Sequence, residues 1–269
     1  MKWLVLIIVI LFMLYLFMIG PRLSFKKRMA AYYGIMFAHR GYHNINHGIP
    51  ENSMLSFRKA IAMGYGIELD IHLSADGNLV VFHDDTLERV CGRKETVESL
   101  TSKELMKCRL SGTSETIPLL DDVLQFVHGQ VPLLIEMKIP TDSVEICEKL
   151  YQRLQNYDGS YLVQSFNTMG LQWFKKNAPH ILRGQLSSRL TQSDKDPAWA
   201  LRFAVENLLC NVVGRPDFIS YKLNDLPNPS VWLLKNFFKT PVAVWTLRTS
   251  RALRVGKKNY YMQIFENQH

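Results

Sequence analysis

Three short clusters concentrate the reactive side chains of this sequence: Ala38-His39-Arg40-Gly41, Ile67-Glu68-Leu69-Asp70-Ile71-His72-Leu73 and Val80-Val81-Phe82-His83-Asp84. Each sets ionisable residues at the end of a short apolar run, or alternating within one. In a strand, residues i and i+2 share a face, so Glu68, Asp70 and His72 point the same way. Two neighbouring carboxylates repel unless a cation lies between them, which is a first sign of a metal site. A later run, Leu134-Ile135-Glu136-Met137-Lys138, repeats the pattern with an acid and a base on one face.

The elements that must position these groups follow from periodicity. Ile35 to Ala38 reads as a first strand, and Asn52 or Ser53 caps a helix running to about Met63. Ile67–Leu73 and Leu79–Phe82 flank an Asp76-Gly77 turn, as in a hairpin. From about 84 to 117 the chain turns charged and Gly/Thr-containing, with a short helix near Ser102–Lys107, as expected of an insertion. Helical periodicity returns at Leu119–Val127, and Val131–Met137 is a strand. Strands near 161–163, 181–186, 218–221, 242–245 and 260–265 then alternate with helices near 143–155, 169–176, 198–209, 230–238 and 248–255. Repeated β-then-α units with short links argue for a parallel sheet, and eight such strands predict a TIM-type (β/α)8 barrel. In that architecture active-site groups sit at the C-terminal ends of strands. His39, Arg40, Glu68, Asp70, Glu136 and Lys138 all fall there. Three carboxylates, as hard oxygen donors, suit one divalent cation of the Mg2+ or Ca2+ kind better than zinc.

The blocks His39-Arg40-Gly41, Pro50-Glu51-Asn52-Ser53, Glu68-Leu69-Asp70-Ile71, Asp76-Gly77, Val80–Asp84 and Leu134–Lys138, in this order and spacing, resemble the glycerophosphodiester phosphodiesterase family. The resemblance is clear from about Phe37 to Phe166. It implies hydrolysis of glycerophosphodiesters to glycerol 3-phosphate and an alcohol. Glu68, Asp70 and Glu136 match the family's metal ligands, and His39 and His83 its acid–base pair. Two imidazoles suit such a division, one deprotonating the attacking oxygen and one protonating the leaving alkoxide; which does which is open. Arg40 and Lys138 would neutralise phosphoryl oxygens, Arg40 by paired hydrogen bonds and Lys138 as a point charge. Asn52 matches a Glu-Asn pair and would touch substrate or site groups, although helix capping explains it nearly as well. His72 either lines the pocket or is a plain neighbour. His43, His47, His128, His180 and His269 read as loop or surface residues.

Gln164-Ser165-Phe166 resembles the family's segment after the fourth strand, and Trp245-Thr246 its segment at the seventh, where the ring would wall the substrate pocket. The likeness then lapses. Leu247-Arg248 stands where the family has Val-Asn, and Asn259–Glu266 replaces a Gly-rich eighth strand, so the alcohol pocket has its own shape. No helix follows the eighth strand, which predicts cover from an N-terminal segment, a neighbouring subunit or the membrane.

Trp3–Ile19 is an unbroken apolar run. As a helix it reaches roughly 25 Å, at the short limit for a bilayer core of about 30 Å. It lacks the small-residue cleavage site of a signal peptide and is expected to be a membrane anchor over 1–23. A basic linker (24–34) and the barrel (35–269) follow. Arg22, Lys26, Lys27 and Arg28 outnumber Lys2, which puts the barrel on the cytoplasmic side by the positive-inside rule and suggests contact with lipid headgroups. The net charge of +8 is not accompanied by any nucleic-acid motif. Cys91, Cys108, Cys147 and Cys210 show no metal or disulfide spacing. Oligomeric state is open. Competing functions are lysophospholipase D-like chemistry at the membrane, which uses the same site on a lysophospholipid, and a catalytically silent interaction module. The silent module would be expected to lack one of the histidines or acids, and none is lacking.

Overall fold

The computed structural model describes residues 1–24, 26–140, 143–192 and 198–267. A single sheet closes on itself through nine strands: β1 Met36–Ala38, β2 Gly66–Leu73, β3 Leu79–Val81, β4 Leu133–Met137, β5 Tyr161–Ser165, β6 Arg183–Ser187, β7 Phe218–Lys222, β8 Val242–Leu247 and β9 Met262–Phe265. β1 pairs in parallel with both β2 and β9, so eight parallel strands make the predicted barrel. β3 is the exception. It pairs antiparallel to the end of β2 across the Asp76-Gly77 turn, with Gly77 at φ +75°, a conformation that costs glycine little.

Alternation explains which side chains go where. Ile67, Leu69 and Ile71 of β2 and Leu133, Ile135 and Met137 of β4 join the layer between sheet and helices. Phe37, Leu134, Leu162, Leu182, Phe218, Met262 and Ile264 fill the barrel interior. The outer helices are α2 Met54–Ala62, α3 Leu120–Val127, α4 Glu145–Leu154, α5 Thr168–Asn177, α6 Trp199–Glu206, α7 Pro229–Asn236 and α8 Ser250–Asn259. Most have an apolar face against the sheet, the ordinary way such a helix is held. The insertion has a small core of its own, with Val80, Phe82, Leu87, Val97, Leu105, Leu110 and Ile117 buried together. The cysteines are free thiols.

The eighth barrel strand is covered from within the chain. Phe265 packs against Tyr65 (ring centroids 4.8 Å apart) and Tyr42 (6.3 Å), and Gln263 Nε2 donates to the Tyr260 carbonyl at the end of α8. The N-terminal segment contributes at the base, where Met29 and Tyr32 plug the barrel interior and Tyr261 Oη donates to Met29 O.

The apolar N-terminal stretch is one helix, α1 Lys2–Ile19, long and apolar enough to cross a membrane. Its last turn is docked on the barrel wall. Asn211 Nδ2 donates to Ile19 O at 2.8 Å, and Arg215 Nη1 to Phe17 O and Gly20 O. Arg22, expected to meet lipid headgroups, instead grips Asp217 with both Nε and Nη2 at 2.6 Å. The loop ahead of β7 offers a buried carboxylate that a bilayer surface cannot match. His47, His128 and His180 are exposed as expected; His269 lies outside the described residues.

Candidate active site

The acids converge because of sheet register. Asp70 of β2 lies directly opposite Glu136 of β4, adjacent strands are about 4.8 Å apart, and both side chains face inward. Glu68 sits one pleat below Asp70. Ligand oxygens of Glu68, Asp70 and Glu136 all lie within 4.8 Å of one another, and all three residues are buried. Burial, together with Asp70 and Glu136, pushes the Glu68 carboxyl well up. Burial also raises Glu136, despite Lys138. Asp70 goes the other way: burial opposes its charge, but Lys138, His83, Arg40 and the Asn52 amide hold it ionised. Lys138 Nζ bonds Glu136 and lies 3.0 Å from Asp70 Oδ1. Apart from that ion pair, Asp70 Oδ1 has no partner.

His39 and Arg40 stand at the end of β1. Arg40 adopts φ +55°, which turns its N–H onto Glu68 Oε2 at 3.0 Å. Its Nη1 donates to Glu51 at 2.8 Å, and its Nε lies 3.7 Å from Asp70. His39 Nδ1 is 2.8 Å from Glu266 Oε1, and Arg248 donates to both oxygens of that carboxylate at 2.6 and 2.7 Å. A carboxylate facing Nδ1 fixes the proton there and leaves Nε2 to exchange protons with a ligand. Burial drives the His39 pKa down to about 4, with Glu266 pulling upward. Burial also disfavours the Glu266 anion, but Arg248 and His39 hold it well below the usual carboxylate range.

His83 arrives from the antiparallel β3, whose following residue Phe82 donates its N–H to Asp70 O. Its Nδ1 is 2.6 Å from Asp84 Oδ1. Arg89 ties Asp84 to Glu51 through bonds of 2.6–3.0 Å, and Glu51 binds Arg40. His83 and Arg40 are thus joined by one ionic chain across the mouth.

One cavity of about 260 Å³ is lined by His39, Arg40, Glu68, His83, Glu136 and Lys138 on one side, and by Phe166, Leu186, Trp245 and Ile264 on the other, where Gln164, Lys222, Asn224, Thr246 and Arg248 also reach the wall. The Phe166 and Trp245 rings meet edge to face at 5.9 Å. Asn52, expected to touch substrate or site groups, meets a site group from behind: it is buried, off the cavity wall, and donates to Asp70 Oδ2 at 2.9 Å. Capping of α2 belongs to Ser53, reciprocally with Ser56. His72 is fully buried rather than pocket-lining, with Nδ1 2.7 Å from Glu98 and Nε2 3.3 Å from His83 O. It ties the insertion to the loop carrying His83.

The profile of the Glycerophosphoryl diester phosphodiesterase family matches residues 39–266, which takes in every residue of this cavity. The chain belongs to that family. Among its relatives in the family is a Bacillus altitudinis glycerophosphodiester phosphodiesterase, 34% identical over 54% of this chain and 63% of the relative. A Caldanaerobacter subterraneus glycerophosphodiester phosphodiesterase is 33% identical over 56% and 66%. The chain thus spans just under two thirds of the length of these two. A human lysophospholipase D is 26% identical over 53% of this chain and 48% of its own. The fold matches an Oleispira antarctica phosphodiesterase in complex with sn-glycerol-3-phosphate, with a TM-score of 0.71 and 24% identity over 88% of this chain and 94% of that one.

Residue reasoning missed Glu266, Arg248, Asp84 and Arg89 as partners of the histidines. The signal for Glu266 was available: a lone acid ending the eighth strand belongs, by the barrel rule, at the mouth. Arg89 and Glu51 are brought together only by the insertion's fold.

Proposed function

We propose that this chain is a metal-dependent glycerophosphodiester phosphodiesterase, releasing glycerol 3-phosphate and an alcohol. The observation that carries this reading is the closed triad Glu68–Asp70–Glu136 at the floor of a cavity also lined by His39 and His83. The donor set fits a hard divalent cation, Mg2+ or Ca2+. Its oxygens are buried, Asp70 Oδ1 lacks a hydrogen-bond partner, and two of the three carboxyls resist ionisation with no cation among them. When bound, such a cation supplies positive charge to the phosphoryl oxygens.

Arg40 and Lys138 bind and orient the phosphate from the same side. His39, held neutral near pH 7 by its burial and oriented by Glu266, takes the proton of the attacking oxygen at Nε2. Glu266 then faces the imidazolium that forms. His83, hydrogen-bonded to the ionised Asp84, gives a proton from Nε2 to the leaving alkoxide. Trp245 and Phe166 wall the alcohol side. The anchor (1–23), with the barrel on the cytoplasmic side, would keep this chemistry at a membrane.

A second reading keeps the machinery and changes the substrate to a lysophospholipid. The exposed α1 and the apolar wall of the cavity favour it. The deciding experiment incubates the purified full chain in detergent, with Mg2+ or Ca2+, with glycerophosphocholine, glycerophosphoethanolamine and lysophosphatidylcholine. Glycerol 3-phosphate or lysophosphatidic acid is the expected product. A folded, cation-binding protein that cleaves none of the three would return the chain to the silent interaction module.

A further inference from the structure

The cavity has two sides. The acids, His39, Arg40, His83 and Lys138 come from β1 to β4 and the β3 hairpin, whereas the apolar residues Phe166, Leu186 and Trp245 come from the ends of β5, β6 and β8, among Gln164, Lys222, Asn224, Thr246 and Arg248. The outer surface around this side carries exposed apolar side chains. Helices α5, α6 and α7 start at the mouth, because each follows the C-terminal end of a strand. Their first turns expose Met169, Trp199, Leu201, Phe203 and Trp232, between 41% and 61% of each side chain. Trp199 and Phe203 stack at 5.2 Å. Isolated exposed apolar residues need no explanation, but grouped ones mark a contact surface.

Helix α1 is docked in this same sector. Arg22 grips Asp217 at the barrel base, whereas Tyr15 Oη lies 2.7 Å from Ser230 Oγ, at the mouth end of α7. Passing back from Arg22 to Tyr15 therefore climbs from base to mouth. Trp3 to Leu14 continue beyond it, each 46–79% exposed. Next along the rim, α8 begins with Arg251 and Arg254 and carries no acid, and the Arg248 side chain is 64% exposed. Aromatic rings beside basic residues suit the boundary of an anionic bilayer.

We propose that the mouth rim over β5–β8 is a docking face for the anionic bilayer that α1 spans, with Trp199, Phe203 and Trp232 seated at the interface. The proposal rests on reading α1 as a membrane span. It opens the side of the cavity that holds Phe166, Leu186 and Trp245 toward the bilayer, so a lysophospholipid headgroup can reach His39 and His83 while its acyl chain stays in the membrane. Water-soluble diesters enter from the β1–β4 side.

The test uses the full chain carrying Trp3→Phe, reconstituted in vesicles of phosphatidylcholine and phosphatidylglycerol with or without acyl-brominated phosphatidylcholine. Bromine should quench the remaining tryptophan emission, and Trp199→Ser with Trp232→Ser should remove the quenched component. That double variant should also hydrolyse vesicle-borne lysophosphatidylcholine about tenfold more slowly, as expected on losing two interfacial rings, with glycerophosphocholine turnover unchanged. A chain that resists alkaline extraction yet shows no bromine quenching overturns the docking face and leaves the span intact. So does an equal loss from Tyr33→Ser with Phe237→Ser at the base. Release of the chain by alkaline carbonate overturns the span itself. The quenching arm needs no turnover, so its result stands apart from the proposed activity.

Discussion

Replacing Glu266 with glutamine probes the one site interaction that separates His39 from an ordinary buried histidine. The carboxylate accepts from His39 Nδ1 at 2.8 Å and from Arg248 at 2.6 and 2.7 Å. A hydrogen bond to a charged group contributes about 1.5–3 kcal/mol. At about 1.36 kcal/mol per decade, its loss in the transition state lowers kcat by about 10- to 150-fold. KM should hardly move, because Glu266 is off the cavity wall. The pH profile gives a second readout. The proposed mechanism uses neutral His39, so the rate should fall as pH drops through its pKa, near 4. Glu266 raises that pKa, and without it the acid limb of kcat/KM shifts to still lower pH. Steady-state kinetics on glycerophosphocholine from acid to neutral pH, with circular dichroism as the folding check, measures both. An unchanged kcat, or a reduced kcat with an unmoved acid limb, refutes the orienting role.

Three further outcomes follow from the same geometry. His83→Ala should lose at least about 100-fold on glycerophosphocholine but far less on a p-nitrophenyl ester of the same phosphate, whose leaving group needs no proton; His39→Ala should be equally impaired on both, and the reverse pattern would exchange their roles. Glu136→Gln should raise the half-saturating Mg2+ or Ca2+ concentration by more than about tenfold, since removing even a supporting partner of a ligand costs about 10- to 100-fold; an unshifted activation curve would remove Glu136 from the ligand set. Phe265→Ala should cost about 3–5 kcal/mol in urea unfolding, because the ring closes the β8–β9–β1 seam against Tyr42 and Tyr65; a loss under about 1 kcal/mol would mean that the seam is held elsewhere.

The barrel and its acids were legible because both are local signals. Apolar runs with i, i+2 acids encode strand and inward face at once, and the barrel rule then supplies the end at which they gather. The partners of the histidines were not legible. Glu266 reaches His39 only because β9 pairs with β1 in the register Ala38 to Phe265. Arg89 reaches Glu51 only through the insertion, whose core is built from scattered single residues. The role of Arg22 depended on an acid 195 positions away, beyond any periodicity. Asn52 shows a subtler limit: a helix-capping residue type was the right inference for this stretch, but Ser53 holds the cap, and a one-residue offset turns the Asn52 amide onto Asp70.

In the proposed mechanism these long-range pairings set the groups assigned to bond cleavage against the wall assigned to the alcohol. Several ionic groups on the cleavage side are engaged twice: Arg40 with Glu51 and Asp70, Lys138 with Asp70 and Glu136, Glu266 with His39 and Arg248. A change to any one of them disturbs its neighbours, so substitutions there should combine non-additively. Phe166, Leu186 and Trp245 face the cavity mainly through apolar contact, where substitutions can add independently. Leu247, Arg248 and the eighth strand lie at the seam between the two sides. Arg248 belongs to both, gripping Glu266 while lining the cavity. Under the proposed function, Arg248 is therefore a residue through which a bound alcohol could influence the orientation of His39.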